Sequence, residues 1–216
     1  ETAMACEGYK VKLLPTVDKN AVDEGLRYIN NDACYPTIVT LGQIISYLKS
    51  GEVDLNKVGI FMSQTGGGCR ASNYVALLRK ALKDMGMEQI PVISVNMAGL
   101  EKNPGFKISK GIIKRGMMAV MYGDLLMRVL YATRPYEKVP GSANALYEEC
   151  CDMIRDNIVS GDMKEYKRLM KVIVERFDQL PLLDIKKPRV GVVGEILVKY
   201  HPNANNDIVN IIESEG

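Results

Sequence analysis

Apolar residues recur along this chain at two different spacings. Tyr74, Leu77, Leu78, Ala81 and Leu82 keep the three-to-four-residue period of a half-buried helix, with Arg79, Lys80, Lys83 and Asp84 on the other side. Ile38, Leu41, Ile44, Ile45 and Leu48 repeat the pattern behind Pro36, whose fixed φ suits a first helical turn. Between such stretches lie short continuous apolar runs at 58–62 and 90–95, the signature of strands covered on both faces. Residues 9–14 alternate as a strand would, Pro15 stops them, and Asp18 is placed to cap a helix reaching about Ile29.

Further on the helical period dominates. A long helix is expected from about Ile108 to Thr133, closed by Arg134-Pro135. Its middle, 117–123, is apolar on nearly every side, which predicts a central place in a helical layer. Asp124 is expected to pair with Arg128 one turn on. Two more helices follow, one opening at Gly141-Ser142 and one at Gly161 or Asp162, and at least one of the adjacent Cys150 and Cys151 reads as a core thiol. Residues 189–196 form a fresh strand pattern, and a last helix starts at 203–206.

Strand, helix and strand over 58–95 make a βαβ unit with parallel strands. The pattern as a whole predicts an α/β fold: a three-layer core, a mostly parallel sheet from the runs near 9, 58 and 91, and a helical segment. The run near 190 is expected to join that sheet or to pair with an absent part. Domain limits follow at 1–185 and 186–216. Thr2 to Glu7 reads as the last turns of a helix and 186–216 as the start of a new α/β unit, so a piece of a longer protein is expected.

Composition narrows the function classes. Lys+Arg 28 against Asp+Glu 26 leaves a net charge of +2, which gives no footprint for nucleic acid or an anionic membrane. No apolar run reaches the roughly 18 residues of a membrane span, and the first residues lack a signal-peptide pattern, so a cytoplasmic protein is expected. Five cysteines at irregular spacings read as reduced thiols or metal ligands rather than a disulfide framework.

Two of those cysteines stand at unusual places. Cys34 follows the turn-forming residues 30–33 and precedes Pro36, at the entrance to a helix. Cys69 follows Gly66-Gly67-Gly68, at the entrance to the helix that begins near Tyr74. A helix N-terminus favours a thiolate, and consecutive glycines can turn backbone N–H groups toward one point. The run is neither a Walker A loop, which needs Lys and Ser or Thr after its last glycine, nor a G-x-G-x-x-G fingerprint. A metal ligand or nucleophile at Cys69 and a plain glycine turn with an incidental cysteine both remain open on these residues.

Six stretches together carry a family resemblance: 30–36 (NNDACYP), 64–70 (QTGGGCR), 99–106 (GLEKNPGF), 122–124 (YGD), 134–137 (RPYE) and 193–196 (VGEI). On these the chain resembles the 2-hydroxyacyl-CoA dehydratase activase-related proteins, over roughly residues 9 to 216. The resemblance implies a Rossmann-like fold, oxygen-sensitive iron–sulfur chemistry, and single-electron transfer driven by ATP in a separate activase domain, with an acyl-CoA as the further partner. It implies a 4Fe-4S cluster with Cys34 and Cys69 as ligands, and a cofactor-binding loop of Gln64, Thr65, Gly66, Gly67, Gly68, Arg70 and Asn73. No third cysteine matches a family ligand, and Cys6, Cys150 or a residue outside this piece are left as candidates. Two other classes fit the same residues: a metal-free module holding a CoA thioester or another anion on the glycine amides, and a structural domain that docks the activase. On the cluster reading Cys34 and Cys69 converge to within about 7 Å, and the Cys69 loop is open to solvent.

Overall fold

The computed structural model describes residues 1–14, 18–64, 73–96, 99–100 and 106–216, which divide into two compact units. The first comprises residues 1–13, 108–191 and 210–216; the second comprises residues 14–107 and 192–209.

In chain order, α1 (Thr2–Ala5) belongs to the first unit and α2 (Lys19–Tyr28) and α3 (Tyr35–Lys49) to the second. Asp18 caps α2, its carboxylate accepting from the Ala21 N–H at 2.8 Å, as its place ahead of the apolar pattern predicts. The two helices pack unusually close. A Cβ on Gly42 would lie 1.9 Å from the Ala21 carbonyl oxygen, and one on Gly25 would lie 2.2 Å from that of Ile38. Only glycine fits at either point. The approach seats Ile38, Leu41, Ile45 and Leu48 in the core. It also buries Glu24, which accepts from Lys49 at 2.7 Å and from Arg27 at 2.8 Å. A buried carboxylate needs such partners.

Next come β1 (Ile60–Gln64), α4 (Tyr74–Asp84) and β2 (Val92–Asn96), with β1 and β2 parallel and Ile60 opposite Val92. The βαβ unit read from the sequence is therefore present. Val75, Leu78, Ala81 and Leu82 of α4 are buried in the same core as α3 and the two strands. A two-residue strand, β3 (Gly99–Leu100), adds antiparallel to β2. Phe106 is buried and packs its ring 5.4 Å from that of Phe61.

The first unit is helical. Helices α5 (Lys110–Thr133), α6 (Ser142–Ser160) and α7 (Met163–Asp178) pack together, and α1 rests on α5 and α6. Caps place their ends: Ser109 accepts from Ile112 N–H at 3.0 Å, and Asp162 accepts from Lys164 N–H at 2.7 Å. Arg115 donates to the Ile158 carbonyl at 3.1 Å and to Glu7 at 3.2 Å, pinning α1 to the bundle. The core joins Leu126 and Leu130 to Leu146, Cys150, Ile154, Leu169, Ile173 and Phe177. One polar network crosses it: the Tyr122 hydroxyl donates to Asn157 Oδ1 at 2.8 Å, and the Asn157 amide donates to the Asp162 carbonyl at 3.0 Å. Asp124 and Arg128 pair at 3.2 Å as expected, and of the adjacent Cys150 and Cys151, at least one of which is expected in the core, Cys150 is fully buried and Cys151 half-buried. After a stretch without regular structure come α8 (Ile196–Tyr200), in the second unit, and α9 (Ile208–Ser214), the last helix before the final residues.

The expected Rossmann-like three-layer core with a mostly parallel sheet is not formed. The chain is mostly helical, and among the described residues it has one parallel strand pair extended by the short antiparallel β3. Residues 9–14 alternate correctly yet have no regular structure, and Leu13 is exposed. Residues 189–195 have no regular structure and are mostly exposed, Val193 being 89% accessible, and they pair with no strand among the described residues. Alternation makes a strand only where an edge accepts it. Helix α5 packs against α1, α6 and α7, but it is not covered on every side: its face carrying Ile113, Met117, Val120 and Met121 is exposed.

Two outcomes test this packing. Gly42→Ala should cost about 1–3 kcal/mol, because the added methyl meets backbone rather than a movable side chain. Urea unfolding should show a lower midpoint at unchanged slope; wild-type stability would contradict the close approach. Burial, then the nearby Tyr166 and Glu165, push Tyr122 up to about 12. The folded state thus holds its phenolic proton longer than the unfolded chain, whose tyrosine titrates near 10. That stabilisation is complete below pH 10 and is lost as pH rises toward 12. Tyr122→Phe should lose about 1–2 kcal/mol at neutral pH by orphaning Asn157 Oδ1, and should show a shallower alkaline decline in stability.

Candidate functional site

The turn ahead of α3 is built by Asn30, whose side-chain oxygen accepts from the Asp32 N–H at 3.0 Å and whose carbonyl accepts from Ala33 at 2.9 Å. That turn delivers Cys34 to the N-cap of α3 in an extended conformation, φ −62° and ψ 148°. Its carbonyl accepts from the Thr37 N–H at 2.9 Å, so the backbone begins the helix while the side chain reaches two hydroxyls. The sulfur is half-buried and lies 3.0 Å from the Thr37 hydroxyl and 3.8 Å from the Tyr74 hydroxyl. Thr37 is wholly buried on the first turn of α3, while Tyr74 opens α4. The entrances of the two helices therefore meet at one thiol.

The surroundings suit a charged sulfur. A thiolate only accepts hydrogen bonds, so in that form both hydroxyls donate to it. Burial, moderated by the Thr37 hydroxyl and reinforced by Cys34 and Glu195, raises Tyr74 to about 12, so this phenol remains a donor at neutral pH. The α3 N-terminus adds its partial positive charge.

Of the residues singled out in sequence, Cys34 stands at the α3 entrance as expected. Gln64 ends β1 opposite Asn96, and Asn73 occupies the N-cap of α4, exposed and without a side-chain capping bond. Thr65, Gly66, Gly67, Gly68, Cys69 and Arg70 lie outside the described residues, as do residues 101–105 of the GLEKNPGF stretch. In the chain Cys69 stands five positions ahead of Tyr74. Cys6 is exposed, whereas Cys150 is sealed in the helical core and burial pushes its thiol up. Cys150 is a packing residue. The Arg134–Glu137 stretch also holds structure together. Arg134 clasps Glu213 at 2.6 and 3.1 Å, and Glu137 accepts from the Gly141 and Ala143 N–H groups at the start of α6.

Sequence reasoning misses Thr37 and undervalues Tyr74. Thr37 has a local signal, a hydroxyl three residues after a cysteine at a helix start. Tyr74 has none, since its contact with Cys34 spans 40 positions.

Cys34 fits one corner of an iron–sulfur cluster: it is a reduced, half-buried thiol at a helix N-terminus with hydroxyl donors beside it. The described residues do not complete a ligand set, for no group of three His, Cys, Asp or Glu among them is placed to hold a metal ion. Among them, too, no helix is long and apolar enough to cross a membrane. No family model, curated protein or solved structure matches the chain.

Removing the Thr37 hydroxyl tests the site geometry without any cofactor. In Thr37→Val, alkylation of Cys34 at neutral pH should slow on the order of fivefold, the worth of one hydrogen bond to the thiolate. Peptide mass spectrometry with the exposed Cys6 as internal reference reads the rate. An unchanged Cys34 rate would show that the 3.0 Å contact does not hold the sulfur.

Proposed function

We propose that the second unit is an iron–sulfur-dependent electron-transfer or dehydratase-like domain, with Cys34 and Cys69 as cluster thiolates. It would serve 2-hydroxyacyl-CoA dehydratase chemistry beside an ATP-dependent activase, in the cytoplasm. One observation carries this reading: the Cys34 sulfur lies 3.8 Å from the hydroxyl of Tyr74, the first residue of the helix that the Cys69 segment feeds. The entrances of α3 and α4 are thus joined through a side-chain contact, and in the chain Cys69 stands five positions ahead of Tyr74.

Within this proposal the residues divide the work. Cys34 and Cys69 bind, and Thr37 and Tyr74 orient the Cys34 sulfur and hold its charge. Gly66, Gly67 and Gly68 offer backbone N–H groups, with Gln64, Thr65, Arg70 and Asn73 bordering the same segment. A bound cluster supplies one-electron chemistry at a potential tuned by hydrogen bonds to its sulfurs and by solvent access. Energising that electron falls to the activase, and the acyl-CoA is the further partner. Turnover by this chain alone is not expected.

Anaerobic reconstitution with ferrous iron and sulfide tests the assignment. The wild-type chain should develop a visible thiolate-to-iron absorption and bind iron and sulfide in equal amounts. Cys34→Ser and Cys69→Ser should each lose most of it, while Cys151→Ser keeps it. A colourless wild-type protein, or colour that survives both serine variants, would refute the proposal.

A further inference from the structure

Among the described residues no residue beyond Phe177 is buried. Residues 184–195 have no regular structure, α8 is five residues long, and α9 has no buried residue. The end of the chain is held by polar ties instead, and two sets of them sit on one corner of the first unit. The Leu183 N–H donates to the Tyr136 carbonyl at 2.7 Å and the Lys138 N–H to the Pro181 carbonyl at 2.9 Å, which fixes the point of departure. At the far end Arg134 donates to both carboxylate oxygens of Glu213 in α9, at 2.6 and 3.1 Å, with each side chain less than a fifth exposed. A two-bond pairing of this kind is stronger than a neutral hydrogen bond and fixes orientation as well.

Between those points residues 192–209 pack with the second unit. Glu195 accepts from the Leu197 N–H at 3.0 Å to start α8, and its charge reaches the Tyr74 hydroxyl, which stands beside the Cys34 sulfur. The docked form also holds costs that it does not relieve. His201 Nδ1 is buried without a hydrogen-bond partner among the described residues, and Asn206 and Asp207 are both held at positive φ, 56° and 57°. Opening returns the imidazole to water and lets that backbone relax. A segment with no buried residue and one strong tie at its end opens locally while both cores stay folded. We propose that residues 184–216 form a strap latched by Arg134 and Glu213, and that release of the latch opens the approach to Cys34. This concerns access to the thiol and stands apart from the cluster assignment, since it is read on the cofactor-free chain.

Hydrogen exchange read by mass spectrometry on the intact, reduced protein tests the latch. Glu213→Gln keeps the shape of the side chain but removes its charge. Amides of α8 and α9 should then exchange about tenfold faster, the worth of one charge-assisted pair, while those of α6 and α7 keep their wild-type rates. In the same variant alkylation of Cys34 by an uncharged reagent, referenced to the exposed Cys6, should rise at least about threefold. Glu215→Gln removes an exposed carboxylate two residues on that makes no ion pair, and it should change neither reading. Unchanged exchange in Glu213→Gln overturns the latch, and faster exchange with an unchanged Cys34 rate overturns the opening at Cys34. An equal response to Glu215→Gln would reduce both to a general charge effect and overturn the proposal as a whole.

Discussion

The second unit depends on how closely α2 and α3 approach. Gly25 and Gly42 let the two backbones touch, and that contact fixes the height and rotation of α3 in the core. Helix α3 carries Cys34 at its first turn, and its inner face packs with α4 and the parallel strands around one core. The position of the Cys34 sulfur is thus set from below by a glycine crossing and from the side by Thr37 and Tyr74. Close packing transmits such constraints over several turns because interiors yield little.

The two units keep order by different means. In the second, burial is shared between helices and a short sheet, and Glu24 with Lys49 and Arg27 adds a paired charge at the helix crossing. In the first, helix packs on helix, and the uniqueness of the arrangement rests on Tyr122 and Asn157. A buried hydroxyl and amide that satisfy one another at 2.8 Å penalise any register in which they part. Arg115 and Arg134 then tie the chain ends onto that bundle through Glu7 and Glu213.

Local rules make much of this legible. Asp18 and Asp162 announce helix starts through capping, Pro36 marks the first turn of α3, and the apolar runs at 58 and 90 name the parallel strands and the helix between them. What local rules do not supply is a partner. Residues 9–14 and 189–195 carry strand patterns that only a neighbouring edge could turn into sheet, and so the pattern overestimates the sheet. The exposed side of α5 reads as core because an apolar residue does not state which surface covers it. At the site, Cys34 is visible through its turn and its helix, whereas Tyr74 looks like one more apolar position in α4. Its role is a tertiary contact, and no spacing in the sequence encodes a contact between residues 34 and 74.

Two cysteine-bearing helix entrances serving one site is the claim on which the functional reading stands. The most direct measurement treats the reduced, cofactor-free chain with a short thiol-to-thiol cross-linker and identifies the bridged peptides by mass. The expected product is a Cys34–Cys69 bridge, formed rapidly at low protein concentration and lost in Cys34→Ser. Bridging confined to Cys150 and Cys151, with Cys34 and Cys69 each modified singly, would contradict it.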